Sequence, residues 1–164
     1  MLRRLTTVMA ADVVGFSEKV GAAEAATLKQ LGLLSELIEK QVDRGGGRVF
    51  ARAGDGFLSE FSSPVSAVQA GFEIQRRLRN ALERQGNGLE LRIGIHLADV
   101  VVEQENLLGD GVNIAARIES VSQPGQVLVS KSVFDQVKRV SQLSFEDLGE
   151  HRLKNISEPQ RLFR

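Results

Sequence analysis

The sequence predicts an α+β domain with a ferredoxin-like βαββαβ core: a mostly antiparallel sheet, the helices on one face, and C-terminal additions. Three observations predict it. Glu18–Val42 and Pro64–Gln85 are long amphipathic stretches, and what separates them has the period of strands. Leu89, Leu91, Ile93, Ile95 and Leu97 alternate strictly with Glu90, Arg92, Gly94, His96 and Ala98, as in a strand with one buried face. The order of the segments then gives strand, helix, two strands, helix and further strands, which suits helices layered on a sheet.

Each element follows from local chemistry. Thr7–Val14 is a near-continuous apolar run interrupted by Asp12, the pattern of a buried central strand. Leu28, Leu31, Ile38 and Val42 mark the apolar stripe of the first helix, and Gly45-Gly46-Gly47 stops it. Arg48–Phe61 reads as a hairpin turning at Ala53-Gly54-Asp55-Gly56. Ser62-Ser63-Pro64 begins the second helix, with proline near its first position. Asp99–Glu103 is expected to be the hairpin partner of the Leu89–Leu97 strand. A short helix follows Gly109, and Pro124-Gly125 turns the chain into a strand at Val127–Ser130. Lys131–Arg139 is expected to be helical. Leu143–Leu148 and Gln160–Phe163 are expected as strands flanking a loop, Gly149–Pro159.

Composition narrows the function. With 164 residues, 42% hydrophobic and 26% charged, the chain fits one domain spanning 1–164. Lys plus Arg and Asp plus Glu balance at 21 each, so no global field favours nucleic acid or an anionic membrane. The absence of cysteine excludes disulfides, a thiol nucleophile and a thiolate metal site. Two histidines, His96 and His151, lie far apart, which disfavours zinc and serine–histidine chemistry. Any metal would be held by carboxylates, pointing to a hard ion such as magnesium or manganese. The basic start, Met1 to Thr7, runs into an apolar stretch that holds Asp12 and no cleavage site, and no stretch reaches the roughly 20 apolar residues of a bilayer span. The expectation is a cytoplasmic chain with no nucleic-acid partner and no membrane segment. Ending on Arg164 directly after an apparent strand, it also fits a domain cut from a longer protein.

Four residues carry chemistry. Asp12 lies in an apolar strand, where a carboxylate must be paired or ligate a metal. Asp55 stands between two glycines at a hairpin tip; turn chemistry alone would explain it, but neighbouring strands would bring it to the same sheet edge as Asp12. Paired carboxylates of this kind suit two magnesium ions bridged by phosphate oxygens. In Gly109-Asp110-Gly111-Val112-Asn113-Ile114-Ala115-Ala116-Arg117, Asn113 and Arg117 share one helical face, an amide that can orient a hydroxyl beside a guanidinium that can clamp a phosphate. The simpler readings go elsewhere. His96 is taken as lying on the polar side of its strand and His151 in an exposed loop. Asp99 and Asp110 shape turns, and Arg76-Arg77-Leu78-Arg79 with Arg84 is the wet face of a helix.

Together, Ala11-Asp12-Val13-Val14-Gly15-Phe16-Ser17, Gly54-Asp55-Gly56-Phe57, Arg92-Ile93-Gly94-Ile95-His96 and Gly109–Arg117 resemble class III adenylate and guanylate cyclase catalytic domains, in the family's order and over nearly the whole chain. Leu148–Lys154 resembles a stretch typical of its bacterial members. The resemblance implies the nucleotide cyclase fold, a head-to-tail homodimer with active sites at the interface, and conversion of ATP, or alternatively GTP, to the 3′,5′-cyclic nucleotide and pyrophosphate. It implies that Asp12, Asp55 and the Val13 carbonyl of one subunit hold two Mg2+ or Mn2+ ions. The partner would give Asn113 to orient the ribose and Arg117 to stabilise the α-phosphate, and Lys154 would bind the triphosphate. Phe16, Ser17 and Gly54 fall within the substrate-binding motifs, and a fused sensor or repeat domain outside this chain is expected.

Two positions depart from the family. Adenylate cyclases usually carry lysine where this chain has Ala51, and aspartate or threonine where it has Asn106. Alanine offers a base no hydrogen bond, and base-reading sites discriminate through such bonds. Asn106 still presents an amide to either purine. Neither change touches the metal pair or the transition-state pair, so two readings stand: an active cyclase, and a cyclase-like module that binds nucleotide or only dimerises. A ferredoxin-like RNA-binding domain is a third, but the chain has no basic stripe and no Tyr or Trp on which to stack bases.

Overall fold

The computed structural model describes residues 2–86, 88–140 and 142–164; Met1, Asn87 and Ser141, which the expected domain span includes, lie outside the described residues. The chain runs β1 (Leu2–Val13), α1 (Phe16–Ala22), α2 (Glu24–Arg44), β2 (Arg48–Ala53), β3 (Gly56–Phe61), α3 (Pro64–Gln85), β4 (Leu91–Glu103), β5 (Asn106–Leu108), α4 (Asp110–Val121), β6 (Val127–Ser130), α5 (Lys131–Val137), β7 (Asp147–His151) and β8 (Gln160–Phe163). The strands form one sheet in the order β2-β3-β1-β4-β6-β8-β7, with β5 hydrogen-bonded to β4. All pairings are antiparallel except β4 with β6, which are joined by the α4 crossover.

Strand alternation divides the core. Met9, Ala11 and Val13 of β1, with Leu91, Ile93 and Ile95 of β4, pack against Leu34, Ile38 and Val42 of α2 and Val68 and Ile74 of α3. Val8 and Ala10 point the other way and meet Val112 and Ala115 of α4. The long helices therefore share one face with α5, as expected, and α4 is the exception on the opposite face. Small residues make its seat. A Cβ on Gly94 would lie 2.3 Å from the Glu119 nitrogen, and one on Gly111 would lie 2.0 Å from the Ala98 Cβ. Only glycine lets the helix backbone come this close to β4.

Several boundaries differ from expectation. The helix expected over Glu18–Val42 is two, broken at Ala23, whose φ of −155° leaves the helical region. Thr27 Oγ1 donates to the Lys19 carbonyl across the break, and α1 buries no residue that would tie it into a continuous rod. Asp99–Glu103 is not a hairpin partner but the outer half of β4, because the first residues of β1 extend to pair with it. The turn falls instead at Gln104, in the left-handed region at φ 56°, and β5 is the returning strand. Asp99 is therefore a strand residue paired with Arg3 at 2.9 Å. Leu143 and Phe145 pack on the core as irregular chain, with Phe145 edge-on to Phe134 at 5.7 Å, and the strand expected there starts later, at Asp147. His151 accordingly ends a strand, half-buried. The helix after Val127–Ser130 stops at Val137. Capping explains the α3 boundaries: the Ser63 hydroxyl accepts from the Ser66 amide at 3.2 Å, and Gly86 closes the far end at φ 73°.

Candidate active site

Asp12 is the second-last residue of β1 and lies opposite Gly56 of β3. Gly54 takes φ 61°, a left-handed value that a side chain rarely adopts, and so folds the β2–β3 turn tightly enough to deliver Asp55 beside Gly56. The Asp12 and Asp55 carboxyls consequently lie close enough for one to raise the pKa of the other. Burial, followed by the neighbouring Asp55 carboxyl, pushes the Asp12 carboxyl up to about 6, against a backbone hydrogen bond at Val13 and the charge of Arg92.

Two further charged side chains face this pair. Arg92 lies directly across from Asp12 on β4. Glu119, buried at 7% exposure, sits on the inward face of α4 above Gly94. Burial and then the charge of Asp12 raise the Glu119 carboxyl to about 7, with Arg92 opposing. The charge of Arg92 lowers the pKa of both Asp12 and Glu119. Among the described residues no ion pair within 4.0 Å joins Arg92 to Asp12, Asp55 or Glu119. Arg92 and Glu119 were not among the expected site residues. Strand alternation assigned the Arg92 face to solvent, whereas α4 covers it. His96 belongs to the same correction: it is buried and its Nδ1 lies 2.7 Å from the Ser130 hydroxyl. Burial pulls its pKa down to about 4.

The donor set suits a hard divalent cation. It offers two carboxylates and neighbouring backbone oxygen, without sulfur or imidazole. Among the described residues there is no cluster of three or more His, Cys, Asp or Glu placed to cage a metal. Magnesium is commonly held by one or two carboxylates together with substrate phosphates, a role that Asp12 and Asp55 could fill.

Asn113 and Arg117 lie on the outward face of α4, away from Asp12 and Asp55 of the same chain. Asn113 is exposed and Arg117 half-buried. Asn113 lines a polar cleft of about 340 Å3 with Asp110, Asn155, Ser157 and Gln160, and neither Asp12 nor Asp55 reaches it. Lys154 is exposed in the turn leading into that wall. Ala51 is half-buried beside a bulge in β2, which lies against β5, where Asn106 is the first residue. The Asn106 Oδ1 accepts from the Leu107 amide at 2.9 Å. Arg52 turns to the α2 face, where it binds Ser35 at 2.7 Å and also Glu39. Phe16 packs on the main core, Val13 is buried at 3% exposure, and Ser17 is exposed in the first turn of α1.

Comparisons with known proteins agree with this geometry. Residues 4–163 match the adenylate and guanylate cyclase catalytic domain family. A Rhizobium meliloti (strain 1021) protein, provisionally named adenylate cyclase 3, is 39% identical over 160 residues, covering 96% of this chain but 27% of that protein. The chain therefore spans about a quarter of that relative's length. The crystal structure of an adenylate/guanylate cyclase/hydrolase from Silicibacter pomeroyi superposes with a TM-score of 0.89 at 34% identity, over 99% of this chain and 96% of that one. The adenylyl cyclase CyaB from P. aeruginosa superposes with a TM-score of 0.87 at 25% identity, over 99% and 93%. No helix among the described residues is long and apolar enough to cross a membrane. By sequence along almost its full length, and by superposition over nearly the whole chain, the chain belongs to the adenylate and guanylate cyclase catalytic domain family.

Proposed function

We propose that residues 1–164 act as one catalytic domain that converts ATP to 3′,5′-cyclic AMP and pyrophosphate at the interface of a head-to-tail homodimer. The proximity of the Asp12 and Asp55 carboxyls at the ends of β1 and the β2–β3 turn carries this reading, because two neighbouring carboxylates are a donor set for hard divalent cations. Asp12, Asp55 and the Val13 carbonyl would hold two Mg2+ or Mn2+ ions, which when bound acidify the ribose 3′-hydroxyl and neutralise the triphosphate. Asn113 of the partner orients the ribose for in-line attack. Arg117 of the partner places a permanent positive charge where negative charge develops at the α-phosphate. Lys154 binds the outer phosphates, while Phe16, Ser17 and Gly54 shape the pocket around them. The outward placement of Asn113 and Arg117 supports a shared site, since one chain does not bring them to its own aspartates. The length of the curated relative supports a further fused domain, sensor or repeat in kind, in the complete protein.

The base-reading positions support a second reading, a nucleotide-binding or dimerisation module without turnover. Ala51 offers no side-chain hydrogen bond, and the Asn106 oxygen already accepts from the Leu107 amide of its own strand. Purified protein incubated with ATP or with GTP and Mn2+ separates the two. Cyclic AMP is the expected product, cyclic GTP-derived product alone would reassign the substrate, and no product from a folded dimer would establish the module.

A further inference from the structure

Leu153–Ile156 is a reverse turn: the Ile156 amide donates to the Leu153 carbonyl at 3.1 Å, with Lys154 and Asn155 as the central residues. Asn155 takes φ 62°, and among the described residues Gln104 is the only other non-glycine residue at positive φ. Asparagine tolerates the left-handed region better than most side chains, and a β-branched residue scarcely enters it.

The two ends of this turn are held by packing. Leu153 is buried with Ile118, Leu128 and Leu162, and Ile156 and Ile114 pack against the same cluster. Ile114 and Ile118 belong to α4, the helix that carries Asn113 and Arg117 outward. The turn and α4 are therefore anchored in one apolar cluster. The tip is not packed: Lys154 and Asn155 are exposed, and Asn155 lines the polar cleft that Asn113 also lines. With both ends fixed, the path of the backbone across the tip depends on the left-handed conformation at Asn155. A residue that left this region would break the Leu153–Ile156 hydrogen bond and swing Lys154 to a new place.

We propose that Asn155 is a positioning residue: its left-handed conformation holds Lys154 in a fixed relation to Asn113 and Arg117 on the wall that serves the partner's site. The inference rests on Lys154 being the lysine that binds the triphosphate. Asn155 acts through Lys154, and its backbone conformation, not its amide, does so.

The test is binding of α,β-methylene-ATP, which cannot be cyclised, to the purified protein with Mn2+, read by calorimetry. The variants are Asn155→Gly, Asn155→Val, Lys154→Ala and the double variant Lys154→Ala/Asn155→Val. Lys154→Ala is expected to weaken binding about tenfold, the loss of one charge-assisted contact. Asn155→Val should weaken it about fivefold where Lys154 is present and less than about twofold where it is absent. Asn155→Gly, free to take a positive φ, should bind within about twofold of wild type. Equal losses from Asn155→Val in the two backgrounds, or no loss in either, would overturn the proposal. A loss in Asn155→Gly as large as that in Asn155→Val would also overturn it, by giving the role to the amide. Asn155→Ala is the second variant should Asn155→Val misfold, with the same background dependence expected and the same refuting result. If Lys154→Ala binds like wild type, or wild type does not bind, the underlying reading of the site has failed; if Lys154→Ala is weakened and Asn155→Val is not, only the role of Asn155 has.

Discussion

Gly94→Ala should separate α4 from the sheet and disable the protein at two levels. The new Cβ would lie 2.3 Å from the Glu119 nitrogen, 2.8 Å from the Ala115 carbonyl oxygen and 2.9 Å from the Glu119 Cα. All three are backbone atoms, so no rotamer change relieves the overlap. Restoring ordinary contact distances takes a displacement of α4 by about 1 Å. Overpacking of this kind costs roughly 1–3 kcal/mol, and each kcal/mol lowers Tm by about 2–4 °C in a chain of this size. The same displacement moves Asn113 and Arg117, and an error of about 1 Å in a positioning group costs on the order of 100-fold in rate. Thermal unfolding followed by circular dichroism, with cyclic AMP formation measured in parallel, reads both effects. Gly32→Ala is the internal control: nothing lies within 4 Å of its Cβ in the middle of α2. That change should stabilise the protein by roughly 0.5–1 kcal/mol without loss of activity. If Gly94→Ala matches wild type in both Tm and turnover, the account of why α4 is seated on β4 is wrong.

Four further outcomes follow from the site. The proton on Asp12 must leave when a cation binds, so Mn2+ affinity should rise with pH up to about 6 and flatten above it; calorimetry that finds a flat profile across this range contradicts the paired-carboxyl account. The folded value lies above the ordinary carboxyl value of 3.8, so between the two the native state binds more protons than the unfolded one, and the metal-free protein should lose stability as pH rises through that interval. Lys154→Ala should raise KM for ATP about tenfold with little change in kcat if the lysine binds the triphosphate in ground state and transition state alike, measured by initial rates. Ala51→Lys combined with Asn106→Asp should increase the ratio of ATP to GTP turnover by on the order of 10-fold or more, measured as competing product formation.

The motifs made much of this site visible before any coordinates. Asp12 was conspicuous because a carboxylate in an apolar strand demands a partner, and Asp55 because its flanking glycines fix a tight turn. Asn113 and Arg117 share a helical face by spacing, which a solvated polar face would also explain, and their roles come from the resemblance to cyclase domains. Arg92 and Glu119 were hidden because alternation along one strand says which residues share a face, but not what covers that face. The Arg92–Gly94–His96–Ala98 side of β4 reads as polar and small, which in isolation means solvent. The clue lay in pairing two patterns: Gly94 and Ala98 on the strand match Gly111 and Ala115 on the helix, four small residues that together permit close contact. The β4 boundary was missed for a related reason. Asp99 looks like turn chemistry until the extended start of β1 supplies the strand that pairs with it.

The central claim, that each active site takes its aspartates from one chain and Asn113 with Arg117 from the other, is tested most directly by mixing two inactive proteins. Asp12→Ala/Asp55→Ala and Asn113→Ala/Arg117→Ala are prepared separately, shown to be folded dimers without activity, then combined and allowed to exchange subunits. Random exchange makes half the dimers mixed, each with one intact site of two, so about a quarter of wild-type cyclic AMP formation should return. A mixture that exchanges subunits and stays inactive would contradict the shared site.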